Sequence, residues 1–149
     1  MLPLVDRGVL PSSEIPATTF TSPEVATVGY TEAEAKEIFG PKAIGVSSLR
    51  LEDVDRAICE DATRGILKVI YQQRSGKIVG ATMMAPHGSE LISELCVAMQ
   101  AGLPFPQLAK VIHPYPSYAI ALQIMAAEVY YERTMRFRPL YNVLKRLGL

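Results

Sequence analysis

Apolar side chains are densest over residues 119–127, Ala-Ile-Ala-Leu-Gln-Ile-Met-Ala-Ala, where Gln123 alone is polar. A helix over this stretch is apolar on nearly every side and needs cover on every side. A second copy of the chain would supply that cover, which makes this a dimer-forming helix. A central helix wholly buried within one domain satisfies the same pattern. The stretch is entered through Ile112-His113-Pro114-Tyr115-Pro116-Ser117-Tyr118. Two prolines around one aromatic make a stiff, non-helical connector, because proline lacks a backbone donor and restricts the residue before it. The long helix is expected over residues 117–133. A further one is expected over 139–147, where Leu140, Val143, Leu144 and Leu147 fall on one face.

Earlier in the chain, residues 1–15 read as an irregular lead-in containing Pro3 and Pro11. Residues 17–21 are β-rich, Ser22-Pro23-Glu24 turns, and 25–30 form a second short strand. Thr31 and Glu34 then make a capping box; Ala35, Ile38 and Phe39 form a stripe, and Gly40 ends the helix. Residues 44–49 are strand-like, and 52–56 read as a charged crossing segment. Residues 65–71 and 77–84 are the clearest strands and pair as a hairpin. Gly88-Ser89 opens a helix lined by Leu91, Ile92, Leu95 and Met99. Pro104 and Pro106 frame a short helix ending near Lys110. Strands first and helices last predict an α+β fold, a two-layer sandwich with an antiparallel β-sheet covered by helices. The main domain is expected over 16–133, with 134–149 as a basic amphipathic helix docked on it.

Charge alters this picture little: 15 basic and 15 acidic residues cancel in a chain of 149. No global field favours nucleic acid or membrane. Apolar runs are too short to span a bilayer, and the N-terminus lacks the pattern of a secretory signal, so a cytoplasmic protein is expected. Cys59 and Cys96 lie far apart, with no metal-type spacing to His87 or His113, and read as packing thiols. No metal site is expected. His87 reads as a turn residue, and His113, between Ile112 and Pro114, as a hydrogen-bonded structural one. The tail carries Arg133, Arg136, Arg138, Lys145 and Arg146 with no acid after Arg133. It reads as a docked helix with a solvated basic side, and contact with an anionic membrane is the alternative. No G-x-G-x-x-G follows a strand, so the chain lacks the loop that seats a dinucleotide pyrophosphate.

Four blocks in order carry a resemblance: Phe20 to Ala35, Gly76-Lys77-Ile78-Val79-Gly80-Ala81, Gly88-Ser89-Glu90-Leu91-Ile92, and His113 to Ser117. Together they resemble the C-terminal dimerisation domain of the flavin-dependent pyridine nucleotide-disulfide oxidoreductases, and among these the mercuric-reductase-like members. Many members end in an H-P-T-x-S-E block whose His and Glu form an acid/base dyad acting on the partner subunit's redox disulfide. At the matching positions this chain has Tyr115 for the histidine and Ile120 for the glutamate. A phenol with an ordinary pKa of about 10 does not shuttle protons at neutral pH as an imidazole does, and isoleucine cannot charge-stabilise one. Base catalysis of that kind is therefore not expected. With Ser117 as N-cap, Ile120 also forgoes a capping box in exchange for apolar packing.

The resemblance implies Tyr115 and His113 as the candidate catalytic residues. It puts the backbone of Tyr115 and Pro116 near the partner's flavin. It further implies a homodimer through the helix at 117–133, with FAD and NAD(P)H held by domains missing from this chain. No cofactor and no turnover are expected of the chain alone. The chain also ends without the cysteine pair that delivers metal in mercuric reductases. The competing expectation is a free-standing dimeric interaction module, motivated by Ile120 and by the start at Met1.

Overall fold

The computed structural model describes residues 15–146, with side chains described through residue 135. Its elements are β1 (Ala17–Thr19), β2 (Glu24–Gly29), α1 (Glu32–Phe39), β3 (Ile44–Arg50), α2 (Asp55–Cys59), β4 (Ile66–Gln72), β5 (Ile78–Ala85), α3 (Gly88–Gln100) and α4 (Ile120–Arg146). Single turns of 3₁₀ helix at Pro41–Ala43 and Leu51–Asp53, and a longer one at Phe105–Lys110, join them. The five strands form one antiparallel sheet in the order β1-β2-β5-β4-β3. The expected α+β sandwich is what forms, with the hairpin β4–β5 at its centre.

Alternation decides which strand residues face the helices. Ala26, Val28, Leu67, Val69, Tyr71, Ala81, Met83 and Ala85 turn one way and share a core with Leu91, Ile92, Leu95, Phe105, Leu122 and Met125. On the opposite face Ile44, Ile70 and Val79 pack under α1 through Ala35, Tyr30 and Phe39. The capping box that starts α1 is complete. Glu34 N–H donates to Thr31 Oγ1 at 3.3 Å, and Thr31 N–H donates to Glu34 Oε2 at 2.8 Å.

Glu32 ties α1 to the sheet, with Lys68 of β4 2.5 Å from one carboxylate oxygen and Lys36 2.5 Å from the other. Lys36, then Lys68, holds the Glu32 carboxyl down at about 2, from an ordinary value of 4.5. A depressed carboxylate stabilises the fold fully above its unfolded value, and that contribution is lost as pH falls through the folded one. Between pH 4.5 and pH 2 the wild-type chain should therefore lose more thermal stability than Glu32→Gln. Equal losses in parallel melting curves would show that these pairs contribute nothing.

A glycine pair lets the chain leave β2 close over β5. Gly29 sits opposite Gly80, with φ at +75°. Tyr30 N–H then donates to Val79 O at 2.9 Å. At the other end of β2, Glu24 Oε2 accepts from Ser89 N–H at 2.9 Å and from the Ser89 hydroxyl at 2.7 Å. Those bonds lower the Glu24 pKa. The first turn of α3 is thus capped from a strand 65 residues away, whereas the N-cap residue His87 makes no side-chain cap bond.

Two expectations need correction. The segment read as a charged crossing, 52–56, runs into α2, whose Ala57 is buried together with Leu51 and Val54 before it. Three-residue spacing of those apolar positions, hidden among acids, makes the helix. Second, α4 is a single helix, Ile120–Arg146, where two were expected over 117–133 and 139–147. No glycine or asparagine stands between Arg133 and Pro139 to stop it, and Pro139 is absorbed rather than acting as a start. The lead-in over 1–14 lies outside the described residues. So do the side chains from 136 onward, and with them the expected docking or membrane contact of the tail.

Candidate functional site

The Phe105–Lys110 turn buries Phe105, Pro106 and Leu108 and so anchors the start of the proline-rich connector. From there the connector lies against the middle of α3 and the first turn of α4. His113 turns inward, its side chain only 7 % exposed. Its Nε2 lies 3.0 and 3.1 Å from the two carboxylate oxygens of Glu94 on α3. Its Nδ1 lies 3.0 Å from Val111 O and 3.3 Å from Gln123 Oε1 on α4. One imidazole therefore ties α3, the connector and α4 together.

Tyr115 turns outward and is 69 % exposed. Its hydroxyl donates to Asp55 Oδ2 of α2 at 2.8 Å, and that bond, with the Asp55 charge, raises the phenol's pKa. Tyr118, three residues on, is buried and donates to Glu60 Oε2 at 2.8 Å. Burial, reinforced by Glu60, pushes the Tyr118 phenol up to about 12. The same bond, with an ion pair to Arg56, lowers the Glu60 pKa. The His87 ring lies edge-on to Tyr118, with centroids 5.4 Å apart. The connector is thus latched twice, to Asp55 of α2 and to Glu60 just after it. The peptide bond between Tyr115 and Pro116 is cis.

Ser117 accepts from Ile120 N–H at 3.3 Å, as an N-cap does. Ile120 is half-buried, so the packing gained in place of a glutamate is partial. Tyr115, Pro116 and His113 share one connector, yet Tyr115 and His113 bond to different elements. The acids beside them, Asp55, Glu60 and Glu94, were not singled out from the sequence. Their partners lie 60, 58 and 19 residues away, and no local spacing marks them.

Around the His113 tie the surface is apolar. Val97 lies one turn beyond Glu94, Ile112 precedes His113 and is 92 % exposed, and Ile124 follows Gln123 and is 40 % exposed. Further along α4, Tyr131 and Met135 are exposed at helical spacing from Ile124. The same helix buries Ala121, Leu122, Met125, Ala126 and Val129 in the chain's own core. The helix expected to be wholly covered is therefore half core and half an open face, on which Ile124, Tyr131 and Met135 are interrupted by the exposed Glu128. Among the described residues no group of three or more His, Cys, Asp or Glu side chains could hold a metal, and no helix is long and apolar enough to cross a membrane.

Residues 15–126 match the family model described as the pyridine nucleotide-disulphide oxidoreductase dimerisation domain. A mercuric reductase of Streptomyces lividans is 39 % identical over 112 residues, covering 75 % of this chain and 23 % of that protein. A dihydrolipoyl dehydrogenase of Haloferax volcanii is 36 % identical over 111 residues, covering 74 % of this chain and 23 % of that protein. Among solved structures, the HOCl-induced flavoprotein disulfide reductase RclA of Escherichia coli, as its Cu(II) complex, superposes with a TM-score of 0.73 at 30 % identity, over 78 % of this chain and 26 % of that one. LpdA of Mycobacterium tuberculosis gives 0.74 at 28 % identity, over 80 % of this chain and 26 % of that one. The chain spans about a quarter of the length of the relatives it matches.

Proposed function

The chain belongs to the pyridine nucleotide-disulphide oxidoreductase family through its dimerisation domain, and we propose that it pairs with a second copy and completes that partner's flavin site in a cytoplasmic oxidoreductase. The observation that carries this reading is the set of exposed apolar side chains Val97 on α3, Ile112 on the connector that also presents Tyr115, and Ile124 and Tyr131 on α4. A set of this kind on a water-soluble domain is a binding surface. Self-pairing through the α4 segment at 117–133 buries it.

Tyr115 suits the edge of a flavin: it offers an exposed, uncharged ring, and the carbonyls of Tyr115 and Pro116 add acceptors beside it. The flavin, with a nicotinamide nucleotide, supplies the electron transfer when bound in domains outside this chain. The residues here position the partner and close its site. Tyr115 contributes contact and hydrogen bonding, His113 holds the connector in place through Glu94, and neither forms the imidazole–carboxylate base seen in many family members.

Ile120, at the position where a glutamate is usual, favours a second reading, a dimeric interaction module that has lost this chemistry. The native product distinguishes the two. Yellow flavin absorption on a longer polypeptide with dimeric mass is the expected result, and a colourless short dimer would replace it with the module.

A further inference from the structure

Without a glutamate at 120, the connector still holds a carboxylate against its outward tyrosine. Asp55 Oδ2 sits 2.8 Å from the Tyr115 oxygen, on a helix from another part of the chain. The placement has support beyond one surface bond. Val54, next to Asp55, and Ala57 on α2 are buried. Glu60, immediately after α2, accepts from the buried Tyr118 hydroxyl at 2.8 Å. Helix and connector are therefore held in one register at two points three residues apart along the connector.

We propose that Asp55 is a positioning residue for Tyr115: it takes the phenolic hydrogen bond, so that Tyr115 meets its ligand as an uncharged acceptor rather than as an acid or a base. A phenol has one donor and two acceptor lone pairs, and once the donor is committed to Asp55 only the lone pairs remain for a visitor. An ionised carboxylate behind the ring also opposes a negative charge on the phenol oxygen. The groups that suit such a site carry their own hydrogen, a thiol or an N–H, while thiolates and carboxylates are repelled. Ionisable groups facing Tyr115 are Asp55 and, more weakly, Cys59, both on α2, and each opposes loss of the phenol's proton. This inference rests on the reading that Tyr115 faces a redox partner, but its test does not.

In the isolated chain, with ring-carbon-labelled tyrosine, NMR follows each phenol separately through alkaline titration. Tyr115 should titrate above free tyrosine, and Asp55→Asn and Asp55→Ala should each lower its midpoint. Asp53→Asn, which removes a neighbouring charge without touching the pair, should leave it in place, and Tyr118 should keep its high midpoint throughout. An unmoved Tyr115 midpoint in the Asp55 variants overturns the assignment, as does an equal fall in Asp53→Asn or a fall at Tyr118 as well. Because no flavin is needed, failure here is distinct from failure of the flavin-site reading, which the colour of the native protein decides.

Discussion

Ile124→Asp should yield a folded single copy of the chain, and Leu122→Asp should yield no folded chain at all. The two residues are two positions apart on α4, yet Leu122 is fully buried in the domain's own core whereas Ile124 is on the open face. Truncating a core leucine to alanine costs about 2–5 kcal/mol, and a buried, unpaired carboxylate costs more. Against a total stability of about 5–15 kcal/mol, that is ruinous. At Ile124 the unpaired chain keeps its aspartate in water, where exposed substitutions shift stability by about 0.5 kcal/mol or less. The paired form would have to bury the charge in an apolar seam. Sedimentation velocity should show the mass of Ile124→Asp halved at an unchanged circular dichroism spectrum. A persistent dimer would mean that copies meet through another surface.

Gly80→Ala should be among the most damaging single-methyl changes in the sheet. A Cβ at Gly80 would lie 1.9 Å from Tyr30 O and 2.9 Å from Tyr30 C and N, all backbone atoms. Neither neighbour is a flexible side-chain tip, so the crossing between β2 and β5 must open. Overpacking of this kind costs about 3 kcal/mol or more, corresponding to a fall of roughly 10 °C in melting temperature for a chain of this size. Gly102→Ala is the control. Its added methyl meets nothing within 4 Å, and only its φ of +64° is strained. That leaves a cost of about 1–2 kcal/mol. Thermal melts of the two variants should separate clearly, and equal melting temperatures would show that the crossing gives way easily.

Gly80 also shows what the sequence made legible. The block from Gly76 to Ala81 helped carry the family resemblance, and in the fold its last glycine answers to steric room rather than to chemistry. Thr31 with Glu34 and the hairpin strands were readable because their partners are close in sequence or repeat at a fixed period. Asp55, Glu94 and Glu24 were not, since what makes them matter is a single bond to a residue on a distant element. Helix α2 was obscured because Asp53, Asp55 and Arg56 surround its few apolar positions. The unbroken α4 is the opposite case: Pro139 has the look of a helix start, yet no stop signal lies between Arg133 and Pro139, so the helix runs on.

The sheet's two rims bear on how copies would meet. At one rim β1 is three residues long and preceded by Pro16, and at the other β3 presents Ser48 and Arg50. Short, proline-flanked or charged rims are poor templates for adding a strand from a neighbour. Any pairing of copies would thereby be steered away from open-ended stacking, which could grow without limit, and toward the helical layer, where a twofold arrangement would be complete once two copies had met.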